Sequence, residues 1–142
     1  MATLPRSWIL GAVAAAALTP AAAFAQQLSD TRIAFQTDRD GNPEIYLMRH
    51  DGLEQENITN TLTDERGPTW SPDGSHIAFA TDRDGALEVY AMMAEAGALA
   101  TSLTGRAGHD HRASWSPLGD KIAFTAEGDG NREIYVMNAD GT

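Results

Sequence analysis

From Arg32 to the last residue, apolar positions fall in short runs of β-branched and aromatic residues separated by Gly, Pro and Asp, the pattern of strands and tight turns. The middle of the chain shows it most clearly. Pro68-Thr69-Trp70 reads as a short strand and Ser71-Pro72-Asp73-Gly74 as a turn, with Pro fixing φ near its start and Gly taking a positive φ at its end. His76 to Thr81 alternates Ile77 and Phe79 with smaller or polar neighbours and reads as a second strand. The turn Asp82-Arg83-Asp84-Gly85 leads to a third strand over Leu87 to Met93, and Glu95-Ala96-Gly97 leads to a fourth at about Leu99 to Leu103. No segment after Gln26 keeps a helical period.

This unit is repeated. Ile33-Ala34-Phe35 returns as Ile77-Ala78-Phe79 and Ile122-Ala123-Phe124, steps of 44 and then 45 residues. Ile45-Tyr46 returns as Val89-Tyr90 and Ile134-Tyr135, and Trp70-Ser71-Pro72 as Trp115-Ser116-Pro117. Asp51-Gly52 matches Ala96-Gly97 and Asp140-Gly141, and Ile58-Thr59 matches Leu103-Thr104. The copies run over about 32–59, 67–104 and 112–142. The first has no Trp-Ser-Pro strand and the last stops at the turn before its fourth strand, so ten strands are expected. Four antiparallel strands in roughly 45 residues is the size of a β-propeller blade. The expected fold is therefore all-β, an incomplete propeller of about two and a half four-stranded blades. Propellers close with about 4–8 blades and an open stack leaves strand edges unpaired. A fragment of a longer gene product, an arc that self-associates to close the propeller, and a partial domain unstable alone are the expectations that follow.

The order Trp-Ser-Pro-Asp-Gly, Ile-Ala-Phe, Asp-Arg-x-Gly, then Glu-Ile-Tyr-x-Met-Asn-Ala-Asp-Gly resembles the WD-repeat-like blades of the TolB-like propeller family. The resemblance covers about Arg32 to Thr142. TolB itself carries an α/β domain ahead of its propeller, whereas only Gln26 to Thr31 separate the N-terminal segment of this chain from its first copy. The resemblance implies a periplasmic module that binds protein or peptide in the cell envelope. Similar propellers also accompany hydrolases of the prolyl oligopeptidase type, so the alternative expectation is the propeller portion of such an enzyme, without its catalytic domain.

The N-terminus supports export. Arg6 precedes the apolar stretch Trp8 to Leu18, Pro20 breaks any helix, and Ala23-Phe24-Ala25 offers small residues where a signal peptidase reads. Residues 1–25 are thus expected to be a signal peptide cut before Gln26, and 26–142 the propeller arc. The apolar core of 11 residues is too short to span a bilayer, which takes roughly 20, so no membrane insertion is expected after cleavage. With no cysteine there is no disulfide framework or lipid-attachment thiol, and stability has to come from the apolar core. The net charge of −10 argues against nucleic acid and anionic lipid surfaces, which are bound through basic patches.

Repetition within the chain separates scaffold from function. Trp70 and Trp115, and Tyr46, Tyr90 and Tyr135, recur in place and are expected in the packing between sheets. Glu44, Glu88 and Glu133 also recur and are expected to hold a turn or pair with Arg39 or Arg83. Asp38, Asp40, Asn42 and Glu44 are spaced like the first ligands of an EF-hand, but Pro43 and Arg49 stand where that loop needs Gly and Glu, and the EF-hand reading fails. Residues that break the repeat are better candidates. His109-Asp110-His111 replaces Asp64-Glu65-Arg66, in the expected loop between the fourth strand of one unit and the first of the next. Two His and one Asp fall short of a secure zinc ligand set, so no metal is assigned. In a propeller these loops open on one face with the turns at Asp38 and Asp82, and Asp64, Glu65, His109, Asp110 and His111 are expected to line an acidic binding rim. No nucleophile elbow, catalytic Cys, phosphate loop or His-Glu-x-x-His occurs, so no catalytic residue, cofactor or enzymatic activity is expected.

Overall fold

A computed structural model describes residues 31–105, 108–128 and 130–142; the expected signal peptide lies outside these residues. The described residues form ten strands and no helix. The first sheet holds β1 (Arg32–Thr37), β2 (Glu44–Arg49) and β3 (Glu56–Asn57), paired in that order. The second holds β4 (Glu65–Trp70), β5 (His76–Thr81), β6 (Glu88–Met93) and β7 (Thr101–Ser102), again in chain order. The third holds β8 (His109–Trp115), β9 (Lys121–Gly128) and β10 (Asn131–Asn138). All pairings are antiparallel, and the division into three, four and three strands is the one that the repeat predicts.

Two strand boundaries differ from expectation. The fourth strand shrinks to Thr101–Ser102, paired only with Ala91 and Tyr90, a short outer edge that offers few free backbone groups to a neighbour. The first strand is longer than its Pro suggests, starting at Glu65 in the second sheet and at His109 in the third. Pro68 is tolerated because the register slips between Arg66 and Thr69, a bulge that takes it out of the ladder. The third sheet repeats the slip between His111 and Ser114.

Turn chemistry sets the hairpin ends. At Ser71 to Ser75 the Asp73 carboxylate accepts from both hydroxyls and from the Ser75 backbone N–H, and these bonds hold its pKa down to about 2. Leu118 takes the place of Asp73 in the next copy, and Asp120, two residues on, accepts from Ser116 in its stead.

The apolar faces bury against one another between sheets. Ile45, Leu47 and Ile58 of the first sheet cluster with Ile77, Phe79, Tyr90 and Met92 of the second, with Trp70 packed against them. Ala78 and Val89 of the second sheet meet Phe124 and Ala126 of the third, with Trp115 alongside. Both Trp residues therefore pack between sheets as expected. Each sheet also pairs a Phe with a Tyr across the ladder on the following strand: Phe35 with Tyr46, Phe79 with Tyr90, and Phe124 with Tyr135. Tyr46 and Tyr90 are buried, and their hydroxyls donate to Asp40 and Asp84; Tyr135 is 42% exposed.

Candidate functional site

The junction between sheets uses two of the residues expected on the rim. The backbone N–H of Glu65 donates to the carbonyl of Pro43 at 2.8 Å, and that of Asp110, its equivalent in the next copy, donates to the carbonyl of Leu87 at 2.7 Å. Both side chains are fully buried. A carboxylate removed from water needs a full set of donors. Glu65 accepts from the hydroxyls of Thr61, Thr63 and Thr81 at 2.8–2.9 Å and pairs with Arg83 at 3.3 Å. Thr61 also donates its backbone N–H to Glu44 in the first sheet, so one residue ties two buried carboxyls together. Burial raises the pKa of Glu44; the Thr59 hydroxyl pulls it down, and the nearby Glu65 adds to the rise.

These contacts correct two expectations. Glu65 and Asp110 do not line a rim: the strand alternation that exposes their neighbours turns these two inward. For Glu44 and Glu88 the second of the two expected roles is the one corrected, since neither pairs with Arg39 or Arg83: Glu44 holds the connection after β3 by accepting from Thr59 and Thr61, and Glu88 accepts from Ser102. Arg39 and Arg83 instead lie over the aromatic pairs, each 4.7 Å from the centroid of its Tyr.

Of the other three candidates, His109 is exposed, and Asp64 and His111 are half-buried. Asp64 pairs with Arg66 and takes no part in the buried network. His109 and His111, two residues apart on β8, face one open cavity of about 560 Å³ between the second and third sheets. They belong to a strand and not to a loop, because β8 begins at His109. The walls of the cavity come from the entries to β4, β8 and β10, so it opens at the end expected for the binding face. Its charge is the reverse of the expected one. Arg66, Arg112 and Arg132 join the two His, and Glu127 is the one carboxylate of the lining. Glu127 pairs with Arg132 at 3.4 Å. The acidic turns at Asp38 and Asp82 stay exposed outside it.

Arg112 and Arg132 escaped the sequence reading although both break the repeat, standing where the previous copy has Gly67 and Leu87. Comparing the copies position by position beyond the His-Asp-His triplet finds them. Among the described residues, no three His, Cys, Asp or Glu side chains converge as a metal site would require.

Three repeated antiparallel sheets, packed face to face through their central strands and joined at a shared backbone hydrogen bond, define an arc of a β-propeller. The sequence matches the profile of the TolB β-propeller domain over residues 12–142, and the chain belongs to that family. Among solved structures, it is similar to a protein assigned as a TolB from Agrobacterium tumefaciens, with 25% identity and a TM-score of 0.71 over 78% of this chain and 42% of that one. It is also similar to TolB from Acinetobacter baumannii, with 26% identity and a TM-score of 0.64 over 77% of this chain and 27% of that one. The chain thus spans less than half the length of either solved protein. No curated relative matches the sequence at a significant level.

Proposed function

We propose that the chain is a non-enzymatic TolB-like propeller module of the cell envelope, periplasmic or secreted, which binds a protein or peptide partner at the entry end of β4 and β8. One observation carries the reading: five residues that differ from the preceding copy line one cavity at that end, while Glu65 and Asp110 beside them are used up in joining sheets. His109, His111, Arg112, Glu127 and Arg132 replace Asp64, Arg66, Gly67, Asp82 and Leu87 of the preceding copy. A scaffold that keeps its packing and varies one end is how rigid folds carry binding residues. The signal-like segment at residues 1–25 supports the envelope location.

A photo-crosslinking amino acid placed at His111 tests the binding face in cells, with the same group at Asp73, in the turn at the opposite end of the sheet, as comparison. An adduct with an envelope polypeptide from position 111 alone is expected. Equal adducts from both positions, or none, would overturn the reading. Mass spectrometry of the exported chain should find its first residue at Gln26; a full-length chain confined to the cytosol would remove the envelope location.

A further inference from the structure

We propose that the cavity between the second and third sheets is a carboxylate-binding site, which takes an acidic side chain or the C-terminal carboxylate of a peptide. The proposal rests on the reading of this end as the binding face and adds the chemistry that it recognises.

The first argument is charge. In a chain of net charge −10, three arginines and two histidines line one cavity. Like charges brought together raise the energy of a fold unless counter-ions or a ligand offset them. Asp64 offsets Arg66 and Glu127 offsets Arg132. Arg112 has no ion pair among the described residues, which leaves one guanidinium more than there are carboxylates. That surplus suits a monoanion, and the planar fork of Arg suits a carboxylate in particular.

The second argument is strain. Arg112 sits at φ +56°, in the left-handed region, at the bulge of β8. The equivalent bulge of β4 has Gly67 at φ +60°, the residue that adopts this conformation freely. A side chain there costs about 1–2 kcal/mol, and bulges are a common device for redirecting a side chain at a site. The third copy therefore accepts a backbone cost, absent from the second, that places a cation at the cavity.

The third argument is the two imidazoles. The Leu87 backbone N–H donates to Nδ1 of His109 at 3.2 Å, which puts the ring proton of the neutral form on Nε2 and leaves it available as a donor. Nδ1 of His111 is buried with no hydrogen-bonding partner among the described residues, and a buried nitrogen left so calls for an explanation. A volume of about 560 Å³ lies within the usual range of roughly 300–1,000 Å³ for sites that take a small group.

The test is an NMR titration of the full chain with hexaglutamate, with hexaglutamine amidated at its C-terminus, and so without any carboxylate, and inorganic phosphate as comparisons. Hexaglutamate should shift the amides of Gly67, His109, His111 and Arg112, and hexaglutamine should not. R112G should weaken hexaglutamate about tenfold without lowering the melting temperature, because Gly suits the backbone at that position. E127Q, which releases Arg132 from its carboxylate, should tighten it. Phosphate competing with hexaglutamate at the same amides would support the shared oxyanion chemistry. Phosphate shifting them while hexaglutamate does not would overturn the peptide carboxylate, and so would R112G and E127Q both leaving its affinity unchanged. An adduct from position 111 together with no response to hexaglutamate would sink the carboxylate and keep the binding face; loss of the adduct would remove the face itself.

Discussion

Asp110 donates its backbone N–H to the carbonyl of Leu87 in the preceding sheet at 2.7 Å, the same bond that joins Glu65 to Pro43 one copy earlier. A strand that starts a new sheet brings an N–H that the new ladder does not satisfy, and each junction supplies the acceptor from its neighbour. The side chain at that position is then carried inward, and it has to be matched there. For Glu65 the match is three hydroxyls and one guanidinium. Glu65→Ala leaves Arg83 without its carboxylate in a half-buried place and should cost on the order of 3 kcal/mol. Glu65→Gln keeps one acceptor and should cost less. Asp64→Asn, which touches only an exposed ion pair, should stay within about 0.5 kcal/mol. Urea denaturation of the three variants checks the order; a Glu65→Ala chain as stable as the parent would show that the network does not hold the junction.

Arg39 and Arg83 are repeat equivalents with unequal duties. Both lie over an aromatic pair, but Arg83 also pairs with Glu65, whereas Arg39 bonds to Thr37 and Gln55 at the surface. Arg39→Ala should cost roughly 0.5–1 kcal/mol, the value of an exposed cation–π contact. Arg83→Ala should cost several times more because it strands a buried carboxylate. Equal losses in thermal melts would mean that the ring contact, and not the ion pair, sets the value of both.

The strand count and the sheet assignment were legible because the Ile-Ala-Phe strand recurs three times in one chain and the Ser-Pro-x-Gly turn twice. Side-chain destinations at the strand entries were not. Glu65 and Asp110 are charged, and composition places charges outside, yet the bulge that follows sets which neighbours face out. The same bulge hides behind Pro68 in one copy, and in the other behind Arg112, a residue type that gives no hint of a left-handed backbone. The basic cavity draws on three separate strand entries, and only the fold brings Arg66, Arg112 and Arg132 to one place.

Two glycines sit where a neighbouring backbone leaves no room. A Cβ on Gly108 would lie 2.7 Å from the carbonyl oxygen of Glu127, and one on Gly141 would lie 2.8 Å from that of Leu103 in the second sheet. Both also have positive φ, of 127° and 89°. Gly97, at φ 78°, has open space around it. Gly97→Ala should therefore cost only the backbone term of about 1–2 kcal/mol, while Gly108→Ala and Gly141→Ala add roughly 1–3 kcal/mol for the clash. Thermal melts that show the three variants equal would place the whole cost in φ.

Acid and neutral pH should act on different carboxyls. The folded chain holds Asp73 at about 2, below its ordinary 3.8, so folding favours the ionised form. Its contribution is present above pH 3.8 and is lost as pH falls towards about 2. Asp51, Asp120 and Asp140 are lowered by similar turn bonds and share that limb. Glu44 runs the other way. Burial raises it above 4.5, so between that value and its folded one the native state binds a proton that the unfolded state has released. Its contribution is present below pH 4.5 and is lost as pH rises through the folded value. Melting temperatures measured from about pH 2 to pH 7 should fall less on the acid side for Asp73→Asn, with the remaining aspartates keeping part of the slope. Glu44→Gln should flatten the decline above pH 4.5 and leave the acid side unchanged. A parent and a Glu44→Gln variant with parallel profiles above pH 4.5 would show that the carboxyl beside Glu65 is ionised in the folded chain at no cost.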